Sequence, residues 1–60
     1  MDDQIKELRL CVKEVDSLSL EFMICKFVVK ADVSPEKLRQ MQRRLMDAQG
    51  LCDRLLEEMV

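Results

Sequence analysis

Two runs of apolar residues, spaced alternately three and four apart on either side of the only proline, leave few folds open to this chain. The first run is Leu8, Cys11, Val15, Leu18, Phe22, Cys25 and Val29; the second is Leu38, Met41, Leu45, Ala48, Cys52, Leu55 and Met59. A mean step of 3.5 residues is the heptad seam of packed helices. No glycine or proline interrupts the chain before Pro35, and Asp2 and Asp3 suit a helix N-terminus. The pattern predicts helix 1 from about residue 3 to 30 and a turn over 31–34. Ser34 followed by Pro35 is a helix start signal, serine as N-cap and proline at the first helical position. Helix 2 then runs from about 35 to 59. Residues 1–60 read as a single helical hairpin, all-α, an antiparallel two-helix coiled coil.

The seams also suggest a register. Setting Val29 opposite Leu38 places Cys25 by Met41, Phe22 by Leu45, Leu18 by Ala48, Val15 by Cys52, Cys11 by Leu55 and Leu8 by Met59. Both runs then end together at the open end. Glu21 meets Arg44 in this register, Val12 lies across from Leu56, and Glu7 falls near Glu58 as an unfavourable pair. Gly50, inside helix 2, costs about 1 kcal/mol relative to alanine.

Helix 1 carries a second apolar face. Between Leu18 and Val29, Leu20, Met23, Ile24 and Phe27 fall at i, i+3, i+4 and i+7, on the side away from the seam. A segment apolar all round requires cover all round, and one neighbouring helix covers one face. A chain of sixty residues buries only roughly 60% of its unfolded surface, and chains of this size usually gain stability from disulfides, metals or association. The expected outcome is completion to a four-helix bundle, by self-association or by a partner. Leu20, Met23, Ile24 and Phe27 are the expected partner-binding residues, and the partner is protein: the chain itself as a homodimer, or a helix of another protein.

The remaining inventory excludes more than it proposes. Ten basic and twelve acidic residues are interspersed, giving a net charge of −2 and little field to steer a charged macromolecule. Three cysteines without CxxC spacing and no histidine argue against a disulfide framework and a zinc site. No metal or other cofactor is expected. With no histidine or tyrosine and a single glycine, neither a general base beside a nucleophile nor a phosphate loop is evident, so no enzyme is expected. Free thiols suit an intracellular setting, cytoplasmic or nuclear. The N-terminal residues form no signal-peptide core, and the apolar stretch holding Glu21 and Lys26 is too short and too charged to span a bilayer. The functional expectation is a protein–protein interaction module, an oligomerisation or docking domain of a scaffold, adaptor or complex subunit.

An alternative lies in Lys37, Arg39, Arg43 and Arg44, with Gln40 and Gln42, at the start of helix 2. Such side chains contact phosphates and bases, although Glu36 and Asp47 flank them and no aromatic residue interleaves. In length, hairpin form and turn position the chain resembles the small Rop-type bacterial hairpins, which dimerise into a four-helix bundle that binds RNA hairpins. No residue motif carries over, so the resemblance does not bring RNA binding with it; the alternative of a small Rop-like nucleic-acid-binding module rests on the basic start of helix 2. Short coiled-coil hairpins of eukaryotic assembly subunits look similar on the same general grounds.

Overall fold

The computed structural model describes residues 2–60 and is all-helical, two helices packed against each other as a hairpin about 46 Å long and 16 by 15 Å across. Helix α1 spans Asp2–Met23, and a π-helical turn over Ile24–Val29 continues it. Helix α2 spans Pro35–Met59 without a break at Gly50. Among the described residues, no helix is long and apolar enough to cross a membrane.

The link is built around Cys25. Its carbonyl accepts the backbone N–H groups of both Lys30 and Ala31, the latter at 3.0 Å. Its thiol approaches the carbonyls of Ala31 and Asp32, at 3.7 and 3.4 Å. Lys30 closes the helix in the left-handed conformation (φ 61°, ψ 39°), the usual place of a glycine at a helix C-terminus. A lysine there costs about 1 kcal/mol or more relative to glycine, because its Cβ crowds the following carbonyl. Ser34 holds the N-cap position with extended backbone, and its carbonyl accepts from Leu38 N–H at 3.1 Å. Its hydroxyl makes no capping bond.

Helix α1 turns most of its expected seam inward. Cys11 and Leu18 are buried, and Leu8, Val15, Phe22 and Cys25 are half-buried. Val29 is the exception, 65% exposed in the π turn beyond the start of α2. Helix α2 is rolled relative to expectation. Met41, Ala48 and Leu55 are half-buried as the seam requires, but Leu38, Leu45, Cys52 and Met59 are exposed. Arg44, half-buried, and Leu51, fully buried, take the inward places of Leu45 and Cys52.

The register differs as well. Glu21 pairs with Lys37 rather than Arg44, and Arg44 pairs with Glu14 rather than Glu21. Each exchange is a step of seven residues along one helix. A slip of one heptad returns every seam position to an equivalent one, so the apolar pattern does not oppose it. The polar flank decides: the slipped register forms two interhelix ion pairs where the expected one forms a single pair. Glu58 meets the Gln4 amide instead of Glu7, with the amide nitrogen 3.3 Å from both carboxylate oxygens when oriented as a donor.

Candidate interaction surfaces

No large core lies between the helices. Cys11, Leu18 and Leu51 are the buried apolar side chains among the described residues, while fifteen large apolar side chains are exposed. The accessible surface is 5102 Å². A compact protein of this mass exposes about 4,100 Å². The excess, about 1,000 Å², is close to one partner's share of a standard protein–protein interface, about 800 Å².

Four exposed residues are those singled out on the outer face of α1. Leu20, Met23, Ile24 and Phe27 are all exposed, Phe27 to 73%. They do not form the even stripe that α-helical counting gives. The π turn begins at Ile24, and its wider hydrogen-bonded loops take more residues per revolution. Phe27 therefore lags its α-helical position and joins Val28 and Val29 in an apolar cap at the closed end of the hairpin. All three of these are more than 60% exposed.

Half of the basic cluster at the start of α2 is engaged in ion pairs. Lys37 pairs with Glu21, and Arg44 with Glu14 and, at 3.5 Å, with Asp47. The negative charge of Glu14 raises the Arg44 guanidinium above the ordinary arginine range. Glu14 Oε2 is shielded from solvent and takes Arg44 as its charge partner. Arg39 and Arg43 remain on an open surface that also carries Glu36 and Gln40.

The three cysteines are free thiols in different surroundings: Cys11 is buried, Cys25 half-buried in the link and Cys52 exposed. No group of three candidate metal ligands occurs among the described residues. Sequence reasoning missed Arg44 and Leu51 as inward residues. The signal that could have found them was charge rather than hydropathy: Glu14 and Glu21, one heptad apart, match Arg44 and Lys37, also one heptad apart. Comparison with protein-family models, curated proteins and solved structures returns no match.

Proposed function

We propose that this chain is a protein-association module, an oligomerisation or docking unit whose apolar exterior is covered in its working state. The observation that carries this reading is the imbalance, among the described residues, between three buried apolar residues and fifteen large apolar ones left exposed. A two-helix layer of this kind has one stabilising interface and several uncovered apolar surfaces, which on soluble proteins mark sites of association. The outer face of α1, with Leu20, Met23, Ile24 and Phe27, is one such docking surface, extended by the π-helical cap. Three free thiols fit an intracellular setting. The nucleic-acid alternative draws less support, because Lys37 and Arg44 already face carboxylates.

Thermal unfolding followed by circular dichroism over a hundredfold range of chain concentration tests the reading. Association with a second copy raises the midpoint with concentration. Dependence on a foreign partner leaves the isolated chain partly unfolded at every concentration. A sharp, concentration-independent transition from a well-folded single chain would contradict the proposal.

A further inference from the structure

The two sides of the hairpin that flank the helix–helix contact are chemically opposite. On α1, Cys11 and Leu18 point into the contact; on α2, Arg44 and Leu51 do. One residue further along an α-helix lies about 100° round the axis. That step leads to Val12 and Ser19 on α1, with Ile5 one heptad before Val12, and to Leu45 and Cys52 on α2, with Leu38 and Met59 continuing the column. The helices run antiparallel and face each other, so a right-handed step along each turns both columns onto the same side of the hairpin. Those seven residues, all apolar but Ser19, are exposed. Neither these columns nor the seam residues between them, Leu8, Val15, Met41, Ala48 and Leu55, include a charge, in a chain that is 37% charged.

The opposite side lies three residues further along, about 60° the other way. It carries Glu7, Glu14 and Glu21 from α1 and Asp47 and Arg54 from α2, in and around the ion pairs to Arg44 and Lys37. One side thus carries the charges and both interhelix ion pairs. The other is an uncharged strip two helices wide, from Ile5 to Ser19 on α1 and from Leu38 to Met59 on α2.

We infer that the uncharged side is covered by the same side of a second copy of this chain, two hairpins closing into a four-helix bundle. The inference rests on the association reading and names its occupant. Three observations select a second hairpin. The exposed columns stand about 100° from the buried seam, close to the ~90° at which a helix meets its two neighbours in a square bundle. A lone third helix nested between two others would instead approach at ~60°. The surplus surface of about 1,000 Å² per chain matches what each partner contributes to a stable dimer. A two-fold axis brings this side against itself, and an uncharged side meets its copy without like-charge repulsion. The π-helical cap and the outer face of α1 stay open in this arrangement, available to a different partner.

Cys52 reports on the covered side in the unaltered chain. Its alkylation by a maleimide, located by peptide mass, should slow at least about tenfold as chain concentration rises from well below to well above the dissociation constant. Leu45→Lys should convert the dimer to a single chain by light scattering, whereas Phe27→Lys, on the cap, should leave the dimer intact. Leu45 is half-exposed in the lone hairpin, so retained helicity in Leu45→Lys would identify lost association rather than lost folding. A dimer that survives Leu45→Lys but not Phe27→Lys would overturn this inference and place self-association on the cap. A poorly folded single chain at all concentrations, with Cys52 alkylated at one rate throughout, would also overturn it while leaving association with a foreign partner standing. A stably folded single chain would contradict both proposals.

Discussion

The two sides of this hairpin differ in what a single chain can satisfy. On the ion-paired side, Glu14 and Glu21 find Arg44 and Lys37 on the neighbouring helix of the same chain. On the uncharged side, Leu38 and Leu45 are only half covered by the same chain, and Cys52 and Met59 remain exposed. The ion pairs contribute little to stability: Lys37 and Glu21 are each about half exposed, and such pairs are worth at most about 0.2–1 kcal/mol. Their larger effect is on alignment. A heptad pattern tolerates a slip of one heptad, and the charged flank chooses between the alternatives. The difference teaches that charge sets register here, while hydropathy sets what must still be covered.

The largest expected effect comes from truncating a buried seam residue and comparing it with the exposed column. Leu18→Ala removes a side chain buried within one chain and should cost about 2–5 kcal/mol, enough to erase the helical signal of a domain this small. Leu45→Ala should approach that cost only if a second copy covers the uncharged side. In a lone hairpin its effect should stay within about 0.5 kcal/mol, as for other surface changes. Chemical denaturation of both variants at one chain concentration separates the two cases.

Two smaller changes avoid both sides and serve as controls. Lys30→Gly relieves the left-handed residue that ends the π turn and should stabilise the fold by up to about 1 kcal/mol. Gly50→Ala should gain about 0.5–1 kcal/mol, since a Cβ built at Gly50 meets no atom within 4 Å and the helix is continuous there. Both gains should appear in thermal melts without altering the mass of the assembly. A loss of stability in Gly50→Ala would mean that α2 approaches another surface at that point.

The smallest effect bears on register. A double-mutant cycle between Glu21 and Lys37 should give a coupling of about 0.2–1 kcal/mol, and one between Glu21 and Arg44 should give none. The reverse result would restore the unslipped register.

Much of the fold is legible in the amino-acid sequence. The helices, the break before Pro35 and the inward turn of six of the seven seam residues expected of helix 1 follow from spacing alone, because a helix must turn its apolar residues to one side. Register does not follow, since a heptad repeat matches itself after seven residues. The roll of α2 was obscured by adjacent pairs: Leu51 beside Cys52, and Arg44 beside Leu45. Hydropathy hardly separates Leu51 from Cys52 and favours Leu45 over Arg44, yet Arg44 is the half-buried one, where its head pairs with Glu14. The π turn has no composition signal either. It depends on how the carbonyl of Cys25 collects the N–H groups of Lys30 and Ala31. The outer face of α1 was visible as four apolar residues, but its α-helical evenness was not real past Met23. The uncharged side is not legible because Leu38, Leu45, Cys52 and Met59 have the spacing of the hairpin's own seam.

The mass of the isolated chain in solution tests the central claim most directly. Sedimentation equilibrium at tens of micromolar should give twice the 7.1 kDa of one chain, with dissociation on dilution and a parallel fall in the melting midpoint. A stably folded 7.1 kDa species at every concentration would contradict the account.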